Sequence, residues 1–94
     1  MNVPSQTTPE PSLIVYPCRF PIKVMGANAD GFVTAMAQVA LACDPGFDLS
    51  TLEQRPSKTG RYLGLTLWVW VLNRAQLDDL YRSLSSHPMV KIVL

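Results

Sequence analysis

Reactive and metal-binding residues are scarce in this 94-residue chain, and the scarcity narrows its chemistry before any pattern is read. His87 is the only histidine, and Cys18 and Cys43 are the only cysteines. With no CxxC pair, the usual ligands of a structural zinc site cannot be assembled. Two cysteines in a chain of this size read as buried thiols rather than as a disulfide framework. No metal and no cofactor is expected. Charge is also sparse: 16% of residues are charged, eight basic against seven acidic, for a net +1. Strong non-specific binding to nucleic acid or to an acidic membrane needs a surplus of Lys and Arg, which is missing. The longest apolar run, Leu63 to Leu72, falls far short of the roughly 20 residues of a membrane-spanning helix. The first residues, MNVPSQTTPEPSLIVYP, have neither a basic stretch nor a long apolar core, so they do not read as a secretory signal. A soluble, cytoplasmic protein is the expectation.

Nearly half of the residues, 48%, are hydrophobic, which suits a single globular domain. Three of the eight prolines lie in the first 12 residues without periodicity. Residues 1–15 therefore read as a flexible tail and residues 16–94 as the domain. Phe20, Ile22 and Val24 alternate with Arg19, Lys23 and Met25, the pattern of a half-buried strand. GANADG interrupts it, and Asn28 offers an N-cap with Asp30 in the first turn of a helix. Phe32, Met36, Val39 and Cys43 recur at helical spacing, until Pro45 and Gly46 stop the helix.

FDLSTLEQR reads as a poor, partly polar strand suited to a sheet edge. PSKTG is a turn in which Gly60 supplies a positive φ. After it, Leu63, Leu65, Leu67, Val69 and Val71 share one face of a strand, with Tyr62, Gly64, Thr66, Trp68 and Trp70 on the other. Asn73 caps a second helix with Leu77, Leu80, Tyr81 and Leu84 along one stripe, and MVKIVL closes the chain as a strand. Strand, helix, strand, strand, helix, strand with right-handed crossovers gives an α+β, ferredoxin-like βαββαβ two-layer sandwich. Its antiparallel sheet has order 4-1-3-2 and carries both helices on one face.

Several motifs invite a catalytic reading and fail it. The Lys58-Thr59-Gly60 triplet occurs in penicillin-binding enzymes, but their S-x-x-K nucleophile motif is absent. The glycine of PSKTG follows the lysine and joins two strands, unlike a Walker loop. Acylphosphatases share the expected topology, but their phosphate loop needs an arginine by the first helix, and Asp30 stands in that region. Neither cysteine has a histidine–acid arrangement to activate it. The chain reads as a non-enzyme.

Binding surfaces are easier to find. Arg55, Lys58 and Arg61 form a cationic edge able to meet an anionic partner. The sheet face without helices should carry Tyr62, Thr66, Trp68 and Trp70 beside Lys23. Exposed indoles mark an interface, so a homodimer or another protein partner is expected there. RNA-recognition modules also stack bases on such a face, but the third strand lacks their signature and the first strand lacks a second aromatic.

RFPIKVMG running into a helix, RPSKTGRY before the third strand and the terminal MVKIVL resemble the YbeD-like family of small bacterial proteins. The likeness spans Tyr16 to Leu94. Its most specific pieces are Lys23-Val24-Met25-Gly26 and Pro56-Ser57 with Gly60 and Tyr62. The resemblance implies the ferredoxin-like fold and a likeness to ACT-type regulatory domains, which bind amino acids near the first strand–helix turn. Their D-x-P-G-x-L pattern falls on Asn28 to Val33 and makes Asn28, Asp30 and Gly31 the candidate ligand residues. Asp30 replaces the proline, and its charge disfavours a carboxylate there. The expected function is regulatory or adaptor binding through the open sheet face or an edge strand. A small amino-acid or carboxylate sensor and a single-stranded RNA binder are the alternatives.

Overall fold

In the structure of the protein, a computed structural model that describes residues 14–94, the alternation seen in the sequence becomes a four-stranded antiparallel sheet. Strand β1 (Cys18–Ala27) leads into helix α1 (Phe32–Cys43). A hairpin of β2 (Glu53–Pro56) and β3 (Tyr62–Val71) follows, then helix α2 (Arg74–Ser85) and β4 (Val90–Val93). The strand order is β2-β3-β1-β4, the expected ferredoxin-like order read from the opposite edge. Most of the tail expected over residues 1–15 lies outside the described residues. Ile14, near its end, and Tyr16, the first residue of the expected domain, pack partly buried against the core.

The core lies between the sheet and the helices. Phe20, Ile22 and Val24 from β1 and every odd residue from Leu63 to Val71 of β3 are buried. From the helices, Phe32, Met36 and Ala40 of α1 and Leu77, Leu80 and Leu84 of α2 meet them. Burying each large side chain of this kind stabilises by about 1.5–3 kcal/mol. All of these strand residues point to one side, so the even residues of β3 and the odd residues of β1 face away from the helices.

Both edge strands are short, and both lie at the same end of the sheet. β2 pairs only with Leu63 to Thr66, and β4 only with Val24 to Gly26. Beyond them β1 and β3 continue as a two-stranded ribbon, Cys18 to Ile22 against Leu67 to Val71. This stagger accommodates Pro21 in a central strand. The carbonyl of Lys23 accepts from Leu94 N–H on the β4 side, so the nitrogen of Pro21 faces the same edge, where β4 has ended. A proline that cannot donate is tolerated at that position.

Three local expectations need correction. Asn28 does not cap α1. The cap is Gly31, in the left-handed region at φ 86°, with no side-chain cap bond; the glycine reaches a conformation that an Asn-led turn does not require. Asp30 accordingly stands before the helix rather than in its first turn. The segment after α1 is not one long strand. Phe47 is buried, Asp48 accepts from Ser50 N–H at 2.9 Å to start a 3₁₀ turn (Leu49–Thr51), and strand pairing begins only at Glu53. Finally, Cys18 and Cys43 are free thiols but only half-buried.

Other features match the reading of the sequence. Gly60 has φ 77° in the β2–β3 turn, and Asn73 caps α2 by accepting from Gln76 N–H at 2.9 Å. No helix among the described residues is long and apolar enough to cross a membrane.

Candidate functional site

The pairing of β1 with β3 builds the surface opposite the helices. Directly opposed residues share a face, and the register sets Ala27 against Tyr62, Met25 against Gly64, Lys23 against Thr66, Pro21 against Trp68 and Arg19 against Trp70. Asn28 N–H donates to the Arg61 carbonyl at 2.9 Å, which points the even residues of β1 and the odd residues of β3 at each other. The open-face pairs are therefore the non-hydrogen-bonded ones, whose side chains stand closest together.

Four of the five residues expected at this interface, Tyr62, Thr66, Trp68 and Trp70, stand on β3, and Lys23 stands beside them on β1. Trp70 is 44% exposed, and Ile92, opposite Met25 from the β4 side, is 46% exposed. Pro21, Met25, Tyr62 and Trp68 are each half-buried, so three strands contribute apolar groups to this face, with the Lys23–Thr66 pair between the tryptophan end and the end that holds Met25 and Ile92. Trp68 is held in place by its Nε1–H, which donates to Glu53 Oε2 at 3.0 Å across to β2. Sequence reasoning missed that bond. It depends on the register that sets Glu53 opposite Thr66, one diagonal step from Trp68.

Cations fringe the patch. Lys23 is exposed, and Arg55 stands opposite Gly64 on the same face. The Lys91 ammonium lies 5.8 Å from the centre of the Tyr62 ring, within reach of a cation–π attraction. Lys58 and Arg61 are exposed on the hairpin next to this end of the sheet. Arg19 is at the far end, where its charge helps hold the Asp48 carboxyl below its usual range, after two larger contributions from the Ser50 hydroxyl and backbone N–H. Among the described residues the ion pairs belong to α2 alone, Arg74 with Asp78 and Arg82 with Asp79.

The expected small-ligand residues have local structural surroundings. The Asn28 side chain donates from Nδ2 to the Gly60 carbonyl at 2.9 Å, fastening the β1–α1 turn to the hairpin. Asp30 is exposed, and Gly31 is the helix cap. An open depression nearby is lined by Ala27, Ala29, Pro88, Met89 and the first two residues of β4, Val90 and Lys91. The thiol chemistry is subdued as well. Burial, then the charges of Asp44 and Asp79, push the Cys43 thiol above its ordinary pKa, which lowers its thiolate fraction. His87 accepts from Met89 N–H through Nδ1 at 3.1 Å, so that nitrogen serves the loop. Among the described residues no three His, Cys, Asp or Glu side chains gather as a metal site.

Comparison with known proteins bears on family and fold. The chain is 61% identical over 85 residues to a UPF0250 protein of Leptothrix cholodnii, covering 90% of this chain and 93% of that one. It is 55% identical over 93 residues to a UPF0250 protein of Bordetella pertussis, covering 99% and 98%. Its backbone is similar to the solution structure of the H. pylori protein HP0495. The TM-score is 0.72 at 19% identity, over 100% of this chain and 97% of that one, a likeness that bears on fold alone. These relatives are bacterial and agree with the YbeD-like resemblance. The family model described as "Protein of unknown function (DUF493)" matches residues 11–94, and the chain belongs to that family.

Proposed function

We propose that this protein is a binding module rather than an enzyme, and that it docks a protein partner on the open face of its sheet in a regulatory or adaptor role. One observation carries the reading: Trp70 and Ile92 stand nearly half exposed on the side of the sheet without helices, where three strands bring apolar side chains to the surface. Indole and aliphatic surface gathered this way is what an interface covers, whereas scattered apolar residues need no partner. The tether of Trp68 to Glu53 adds support, because a side chain already held in one orientation loses little entropy on binding.

The sensor alternative has less behind it, since the Asn28 amide is engaged with Gly60. To test the docking reading, the full chain and its Trp70→Ala and Gln38→Ala variants are compared as baits against native bacterial extract; Gln38 is exposed on α1, away from the open face. A partner that docks on the face is kept by the Gln38→Ala variant and released by Trp70→Ala, with a loss of about 2 kcal/mol or more, or about 30-fold in affinity. Retention of every captured protein by Trp70→Ala refutes the proposal.

A further inference from the structure

The charges around the patch say what chemistry its occupant should have. Of the charged groups on the open face, Lys23, Arg55 and Lys91 are basic and have no ion-pair partner among the described residues, and Arg19 already has Asp48 near it. Glu53 is the acid on this face, and its carboxylate is engaged by the Trp68 indole. The hairpin adds Lys58 and Arg61 at the same end. The cations thus concentrate at the four-stranded end, whereas Trp68 and Trp70 stand toward the two-stranded ribbon.

We infer that the segment bound by this face is an acidic polypeptide with aromatic or aliphatic anchors, lying across the strands so that its carboxylates meet Lys23, Arg55 and Lys91. This rests on the docking reading above and adds the partner's chemistry to it. Three considerations support the choice. Cations left without partners around an apolar surface are complementary to acidic groups interspersed with apolar ones. A second copy of the same face offers these cations no free carboxylate, because its Glu53 is engaged by the Trp68 indole. A single-stranded nucleic acid needs bases stacked on aromatics of both central strands, and the first strand presents Pro21 and Met25 where a base-stacking module carries an aromatic.

The probe for this inference is a random dodecapeptide library displayed on phage and selected on the immobilised full chain. Selected peptides are then synthesised and titrated against the protein. The expected peptides are enriched in Asp and Glu and contain an aromatic or large aliphatic residue. Their affinity falls about tenfold or more in a Lys23→Glu, Arg55→Glu double variant, and also in Trp70→Ala. It weakens several-fold when salt rises from about 0.1 M to about 0.5 M. Unchanged melting temperatures in the variants, whose altered side chains are exposed, separate these losses from unfolding.

Neutral or basic peptides that are nonetheless lost in Trp70→Ala overturn the acidic partner and leave the docking face standing. Peptides indifferent to both Trp70→Ala and Trp68→Ala overturn the docking face and this inference with it. A selection that yields no binder overturns the inference. So does mixed-sequence single-stranded RNA that binds more tightly than the best peptide and is lost in the same variants.

Discussion

One methyl group at residue 26 would test how closely the loop before β4 approaches β1. A Cβ built on Gly26 falls 2.2 Å from the Met89 carbonyl oxygen and 2.8 Å from Phe32 Cζ. The first neighbour is backbone, and the second belongs to a fully buried ring; neither can move aside freely. Gly26→Ala is expected to destabilise by about 1–3 kcal/mol, as overpacking of a filled interior does. Gly64 lies in the neighbouring strand and is the internal control. Its added Cβ meets the Arg55 carbonyl oxygen at an ordinary 3.5 Å, so Gly64→Ala should stay within about 0.5 kcal/mol. Urea denaturation of the two variants makes the comparison, and equal losses would contradict the steric account. The sequence marks Gly26 only as the end of an alternating run. Its importance comes from β4, 63 residues or more later in the chain, and from the irregularity in the β1–β4 register between Met25 and Gly26. Asn28 was misread for the same reason. Its side chain and N–H bond to the hairpin at Gly60 and Arg61, contacts that nothing in the local sequence announces.

Elements were legible where one periodicity ran long enough to dominate. The strict alternation from Tyr62 to Val71 set β3 and both of its faces, and Asn73 ahead of a 3–4 repeat set α2. The stretch between α1 and β3 was not legible, because its pairing partner decides its structure. Only Glu53–Pro56 finds β3, and upstream of it the edge of β3 is covered by a side chain instead. Asp44 ends α1, accepting from Gly46 N–H through Oδ1 at 2.9 Å, and its Oδ2 accepts from Trp70 N–H at 3.0 Å. DPG reads in the sequence as a helix stop, yet its aspartate also stands in for a missing strand.

Removing that carboxylate in Asp44→Ala is expected to cost about 1 kcal/mol, since exposed N–H groups recover water in its place. Hydrogen exchange at the Trp70 amide should accelerate. Exchange at Val69 and Val71, whose backbone faces β1, should follow global stability alone. Equal acceleration at all three would mean that Asp44 does not guard the edge.

At the scale of the whole molecule, the open face of the sheet was readable once the order of elements was known. Two helices on one face leave the other open, and alternation assigns Trp68 and Trp70 to it. Its charge was not readable from a net +1, because the acids and bases are unevenly distributed. α2 pairs its four charges with one another, while Lys23, Arg55 and Lys91 surround the open patch. That separation governs how two copies of the protein meet. Apolar surface draws the faces together, whereas a two-fold contact with its axis along the strands, which lays like ends over one another, sets cation against cation, a juxtaposition that costs up to several kcal/mol when desolvated. Salt screens the repulsion over about 8–10 Å and leaves the apolar attraction intact or strengthened. Self-association through this face should therefore increase with ionic strength, opposite to the acidic-peptide complex, which weakens. Sedimentation equilibrium at low and high sodium chloride measures the difference. Association should be weakest at low salt, stronger at high salt, and abolished in both by Trp70→Ala. A dimer that instead dissociates as salt rises would be held by charges of opposite sign, and so by some surface other than this one.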